Sequence, residues 1–156
     1  METWQDKKFA DAGITANFVQ DNHSRSKQGT LRGLHYQVNQ PQGKLVRVLS
    51  GQIFDVAVDL RRNASNLGQW VVEILSDENN KMLWIPEGFA HWFYVLSETA
   101  DFFYKCTDFY DPECERTLRW DDPDLAIDWP LIDGKPPNLA AKDTKGSPFK
   151  DAEYFG

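Results

Sequence analysis

Ile53-Phe54-Asp55-Val56-Ala57-Val58-Asp59-Leu60 is the most regular stretch of the chain. Phe54, Val56, Val58 and Leu60 fall on one side of an extended segment, and Asp55, Ala57 and Asp59 on the other. That period of two belongs to a strand and not to a helix. On its N-terminal side, Lys44-Leu45-Val46-Arg47-Val48-Leu49 reads as a strand with Ser50-Gly51 as its turn. On its C-terminal side, strands are expected over 69–75, 82–85 and 89–96. A loop at 63–68, the turn Asp77-Glu78-Asn79-Asn80-Lys81 and the Pro86-Glu87-Gly88 turn separate them. The strand over 89–96 places His91, Phe93 and Val95 on one face.

Farther out, residues 99–110 read as one long aromatic strand with Tyr104, Cys106, Asp108 and Tyr110 on a shared face. Residues 112–117 read as a loop, and Leu118-Arg119-Trp120 as a short strand. Asp122-Pro123 has the form of a helix N-cap followed by proline, which predicts a helical turn near Asp124. From Pro130 onward the chain is rich in Pro and Gly and loop-like. At the other end, Trp4, Phe9 and Ile14 form the apolar stripe of a short helix stopped at Gly13. Residues 17–22 begin like a strand, and 24–29 read as a basic polar loop. Many short strands divided by Gly/Pro turns predict an all-β, double-sheet barrel in a single domain over 1–156.

Composition agrees. A chain of 156 residues is long enough for one packed core, and 13% aromatic content favours β structure. The net charge of -7 argues against a nucleic-acid surface, so an anionic ligand would need a local basic pocket. Cys106 and Cys114 make no disulfide framework and read as reduced thiols of a cytoplasmic protein. Neither an apolar run of membrane length nor a signal-peptide pattern occurs, so no membrane partner is expected.

The chemistry gathers at Gly29-Thr30-Leu31-Arg32-Gly33-Leu34-His35-Tyr36-Gln37. In a regular strand Leu31, His35 and Gln37 share one face and Arg32, Leu34 and Tyr36 the other. Arg32 and His35 reach the same pocket only if the strand is irregular, and Gly33 between them is where a bulge costs least. The histidines are His23, His35 and His91. His35 and His91 lack the His-x-His pairing of metal-binding cupins, although a site built from His35, His91 and Asp55 is geometrically conceivable. No Gly-x-Ser-x-Gly elbow marks a catalytic serine. Acid–base chemistry without a metal fits better, and a histidine base needs a carboxylate to fix its tautomer. Asp55, Asp59, Asp101 and Asp143 are the candidates for that carboxylate. Tyr104 could act as the acid from the opposite side of a cavity, with Lys44 and Arg32 stabilising an enolate oxygen or holding a phosphate.

These runs resemble one family. Phe18-Val19-Gln20-Asp21-Asn22-His23-Ser24, Leu31-Arg32-Gly33-Leu34-His35-Tyr36-Gln37 and Gly43-Lys44-Leu45-Val46-Arg47 carry the likeness. So do Phe54-Asp55-Val56-Ala57-Val58-Asp59, Trp84-Ile85-Pro86-Glu87-Gly88-Phe89-Ala90-His91, Tyr104-Lys105-Cys106-Thr107 and Ala141-Lys142-Asp143. In order, and over almost the whole chain, they resemble the dTDP-4-dehydrorhamnose 3,5-epimerases of deoxysugar nucleotide biosynthesis. The resemblance implies a double-stranded β-helix, the jelly-roll barrel of cupins, without metal or other cofactor and working as a homodimer. It implies a thymidine diphosphate 4-keto-6-deoxyhexose substrate inverted at C3 and C5, whose protons the 4-keto group acidifies. By position, His35 is then the base, Asp143 its dyad partner, Tyr104 the acid, and Lys44 the support of the enolate oxygen. Arg32, Gln20, Asn22, His91 and Tyr110 are expected to contact the sugar or the nucleotide.

Two departures stand out. The family opens with a strand and an Arg-Gly-Phe-Phe segment before the residues matching Glu2-Thr3-Trp4. The expectation here is a chain that begins after them, with weaker nucleotide binding and a weaker dimer. Trp92 replaces the usual glycine after His91, and strand parity points it away from His91 towards the outer face. Alternatives are a mono-epimerase or ketoisomerase on a related sugar, a truncated cupin that binds without catalysis, and, disfavoured by the missing His-x-His, a metal-dependent oxygenase.

Overall fold

Strands with one apolar face need a second layer to bury it. In the computed structural model, which describes residues 1–156, that layer is another sheet. One sheet runs β1 (Gln20–Lys27), β8 (Thr99–Cys106), β3 (Lys44–Ser50) and β6 (Met82–Ile85). The other runs β10 (Asn138–Leu139), β2 (Thr30–Gln37), β7 (Phe89–Val95), β4 (Gln52–Asp59) and β5 (Trp70–Ser76), with β9 (Glu115–Thr117) also paired to β2. Every strand pair is antiparallel except the short β10–β2 contact. This is the all-β double-sheet architecture expected. No helix is long and apolar enough to cross a membrane.

Two apolar clusters hold the layers. Val46, Val48, Ala100 and Phe102 of the first sheet meet Ile53, Ala57, Phe93 and Val95 of the second. Burying a side chain the size of Phe102 contributes about 1.5–3 kcal/mol. On the back of the second sheet, Leu34, Tyr36, Val56, Val58, Leu60, Ala90, Trp92 and Tyr94 pack beneath Leu118, Leu125 and Trp129. The faces assigned to 53–60 and 89–96 are therefore the observed ones.

The expected irregularity in β2 is present. Leu31, Leu34 and Tyr36 all belong to the back cluster, which a period of two forbids. The register against β7 shifts between Arg32 and His35. Gly33 at the shift has φ +121°, and a Cβ there would fall on the Trp92 ring and the His91 carbonyl, so only glycine fits. The shift turns Arg32 and His35 to the same side, and it moves Leu31 off the face that parity gave it.

Several local expectations are corrected. Residues 24–27 are strand, the end of β1, paired with β8 from Gln20↔Cys106 to Lys27↔Thr99. They read as loop because both faces of that strand are polar. The long aromatic strand stops at Cys106, so Asp108 and Tyr110 lie in a loop and not on its face. The short strand is Glu115–Thr117 and not 118–120. Asp122 caps the single turn expected near Asp124, its Oδ1 accepting from the Asp124 and Leu125 N–H groups at 2.9 and 3.2 Å and its carbonyl from the Ala126 N–H at 2.9 Å. The N-terminal helix is Asp6–Asp11, and Trp4 packs tilted against Phe9 and edge-on against Phe18, at 4.4 and 4.8 Å between ring centroids. Trp92 does point away from His91, but onto a covered face: it is 1% exposed and meets Trp129 edge-on at 5.1 Å.

Candidate active site

The apolar filling between the sheets stops short of one end, and a cavity of about 380 Å³ occupies it. Gln20, Asn22, His35, Lys44, Tyr104 and Tyr110 line it, six of the residues singled out above. β2 brings His35, β3 brings Lys44, β1 brings Gln20 and Asn22, and β8 brings Tyr104 and Cys106. The pairing Lys44↔Cys106 sets the cation beside the end of β8.

Four carboxylates could have fixed the tautomer of a histidine base, and each has found its partner. Asp59 takes Arg61, with Nη2–Oδ2 at 2.6 Å. Asp101 takes Arg25 and, more loosely, His23, both away from the cavity. Asp55 takes His91, whose Nε2 stands 2.9 Å from both carboxylate oxygens. Asp143 takes His35, with Nε2–Oδ1 at 2.6 Å. The Asp143 carboxylate is 3% exposed and its Oδ2 has no partner. A buried carboxylate in that state orients the imidazole and favours a proton on Nε2, which leaves the Nδ1 lone pair for chemistry. His35 and His91 thus belong to two separate pairs, with Asp143 and with Asp55, and no group of three or more histidine, cysteine or acidic side chains is gathered for a metal.

Electrostatics divide the roles further. Burial lowers the Lys44 pKa, against the opposing charges of Cys106, Glu115 and Asp55. No hydrogen bond or ion pair inside the chain engages its ammonium, so it is available to an anionic oxygen in the cavity. Burial pushes the Tyr104 phenol up to about 12, with Arg32 opposing the rise. Tyr104 therefore stays protonated across the neutral range, as an acid must.

Two expected contacts, His91 and Arg32, sit elsewhere, while Asp143 holds the place expected of a dyad partner, behind His35 and not in the cavity wall. His91 is buried against Asp55 and stacked near Phe102, outside the lining. Arg32 is exposed, with its Nε donating to Ser26 Oγ at 2.9 Å and no carboxylate partner. Glu115 and Lys142 escaped the sequence reading, although both line the cavity. Glu115 accepts from Lys142 Nζ at 3.0 and 3.1 Å and from the Tyr110 hydroxyl at 3.3 Å, and its Oε1 is 3.8 Å from His35 Nδ1. Within Asp111-Pro112-Glu113-Cys114-Glu115 it looks like one more solvated acid. Lys142 had a signal, since it adjoins Asp143.

Comparison with known proteins accords with this arrangement. The family model described as dTDP-4-dehydrorhamnose 3,5-epimerase matches residues 1–151. The dTDP-4-dehydrorhamnose 3,5-epimerase of Pseudomonas aeruginosa is 57% identical over 155 residues, covering 99% of this chain and 84% of that protein. That of Methanothermobacter thermautotrophicus is 50% identical over 155 residues, with the same two coverages of 99% and 84%. A dTDP-6-deoxy-D-glucose-3,5-epimerase from Legionella pneumophila, solved with dTDP-4-keto-L-rhamnose, superposes with a TM-score of 0.93 at 55% identity. The match spans 97% of this chain and 80% of that one. A 3'-monoepimerase from Streptomyces bikiniensis, solved with dTDP-quinovose, gives a TM-score of 0.87 at 30% identity over 96% of this chain and 75% of its own.

Proposed function

Since this chain belongs to the dTDP-4-dehydrorhamnose 3,5-epimerase family, we propose that His35, Asp143, Lys44 and Tyr104 carry out that family's reaction in the cavity between the sheets. The function is that of an isomerase in dTDP-rhamnose biosynthesis, converting dTDP-4-dehydro-6-deoxy-D-glucose to dTDP-4-dehydro-L-rhamnose. The 4-keto group acidifies the hydrogens on C3 and C5. His35 takes one of them on Nδ1, the C–H electron pair moves into the ring, and the charge comes to rest on O4 as an enolate. The Lys44 ammonium stabilises that oxygen where water is excluded. Tyr104 then delivers its phenolic proton to the opposite face of the carbon, and the tyrosinate and imidazolium return to their starting states by exchange with solvent. One base and one acid serve both carbons in turn.

The observation that carries this reading is the 2.6 Å His35–Asp143 pair, whose imidazole lines one cavity with an unpartnered lysine and a tyrosine whose pKa is raised. Gln20, Asn22 and Tyr110 line the same space and are read as contacts to the sugar or nucleotide, with Glu115 and Lys142 added to them. Arg32 and His91 belong to that set by family position alone. A homodimer, one cupin-type domain over 1–156 and a cytoplasmic setting complete the proposal. The family likeness supports the dimer, and the free thiols Cys106 and Cys114 support the setting.

His35→Ala tests the assignment. Exchange of substrate hydrogen with solvent should fall below detection, while dTDP binds within a few-fold of wild type. Residual exchange above about one-tenth of wild type would assign the base elsewhere.

A further inference from the structure

The loop after β8 has no strand partner, yet it carries Tyr110 to the cavity mouth. Its backbone polar groups still need partners, and glutamine side chains provide them. Gln42 Nε2 donates to the Asp108 carbonyl at 2.8 Å. Gln37 Nε2 donates to the Phe109 carbonyl at 3.1 Å and to the Gln40 carbonyl at 2.7 Å. Gln37 Oε1 accepts the Asp111 N–H at 2.9 Å, and Gln20 Oε1 accepts the Tyr110 N–H at 3.0 Å. Four consecutive residues are thus each held by an amide side chain from the cavity wall.

Glutamine suits this task because one side chain offers both a donor and an acceptor. Gln37 is only 4% exposed, and all its bonds go to loop backbone. It lies two residues from His35 and pairs across the strands with Glu115. What the cradle holds out is aromatic: Phe109 is 62% exposed and Tyr110 49%. An aromatic ring held open at a cavity mouth is a platform for a flat heterocycle, and fixing it beforehand lowers the ordering cost of binding.

We propose that Gln37 and Gln42, together with Gln20, are positioning residues for the base end of the nucleotide sugar, acting through the 108–111 backbone to fix the Tyr110 ring. The inference rests on the reading of the cavity as a nucleotide-sugar site. It separates the base-binding end from the chemistry at His35, so loss of the cradle should weaken binding far more than it slows turnover.

The test uses the full chain with Gln37→Leu, Gln42→Leu, Tyr110→Ala and the corresponding double variants. The readouts are Kd for dTDP, KM and kcat for the sugar nucleotide, and hydrogen exchange at the Asp111 amide. For Gln37→Leu, Kd and KM should rise about tenfold, kcat should fall less than about threefold, and the Asp111 amide should exchange at least about tenfold faster. Placed on Tyr110→Ala, the same change should add almost nothing to Kd, because both act through one ring. Gln42→Leu, which removes a single bond at a half-buried position, should repeat the pattern more weakly and serves if Gln37→Leu does not fold. Unaltered Kd despite a freed loop, or full additivity with Tyr110→Ala, would overturn the proposal. So would a fall in kcat as large as that in kcat/KM, which would place the glutamines in the chemistry. Failure of the wild-type chain to bind dTDP would refute the functional reading instead.

Discussion

At the scale of single residues, the account depends on a tautomer and a charge. Asp143 accepts from His35 Nε2, so Asp143→Asn, which can present an N–H instead, should leave the ring in place with its proton on the wrong nitrogen. Exchange should fall by roughly 10²–10⁴ while dTDP binding is retained, as a deuterium wash-in assay with parallel calorimetry would measure. A loss under tenfold would mean that Asp143 does not set the tautomer. Lys44 gives a pH signature. Burial lowers its pKa, so its charge disappears below the ordinary lysine range as pH rises. Activity, which needs the charge on the enolate partner, should fall across that interval. Stability moves the other way: the unfolded chain still holds the proton there, so Lys44's contribution to stability rises with pH. Tyr104, held at about 12, keeps its proton beyond this point and does not set the alkaline limb. The limb should move up in Lys44→Arg, and a pH–rate profile identical to wild type would remove Lys44 from the mechanism.

At the scale of elements, β2 and β7 form one device. Gly33 leaves room for the Trp92 ring, and Trp92 meets Trp129 from the C-terminal segment, so the irregularity that turns His35 inward is packed from behind. Trp92→Ala should therefore cost about 3–5 kcal/mol in denaturant unfolding, with the folded protein still exchanging substrate hydrogen. A cost under about 1 kcal/mol would mean that the back cluster does not depend on this ring. Much of this level was legible. The alternation in 53–60 and 89–96 assigned both faces correctly, and Gly33 between Arg32 and His35 foretold the shift. What could not be read lacked a hydrophobic period. Residues 24–27 hide in polar sequence because their inner face looks towards polar residues and not core. Beyond Cys106 the chain runs into a loop held at 108–111 by glutamine side chains from other segments, contacts that no local sequence signal announces. Asp143 could not be chosen over Asp55 by spacing, since each of the two histidines found a carboxylate of its own in three dimensions.

At the scale of the whole molecule, a chain with net charge -7 must bind an anionic sugar nucleotide against its own field. Several other cations are paired away from the cavity: Arg25 with Asp101, Arg61 with Asp59, Arg116 with Glu153 and Lys105 with Asp21. Lys44 and Arg32 stay unpaired on the inner side of β3 and β2, and Lys142 shares Glu115 at the cavity wall. The two sheets keep a packed core at one end and leave the other open for chemistry. The most direct test of that chemistry is proton NMR of dTDP-4-dehydro-6-deoxy-D-glucose incubated with the protein in deuterated water. The account predicts deuterium at both C3 and C5, with dTDP-4-dehydro-L-rhamnose accumulating and His35→Ala abolishing both exchanges. Deuterium at one carbon only, or exchange that survives His35→Ala, would contradict it.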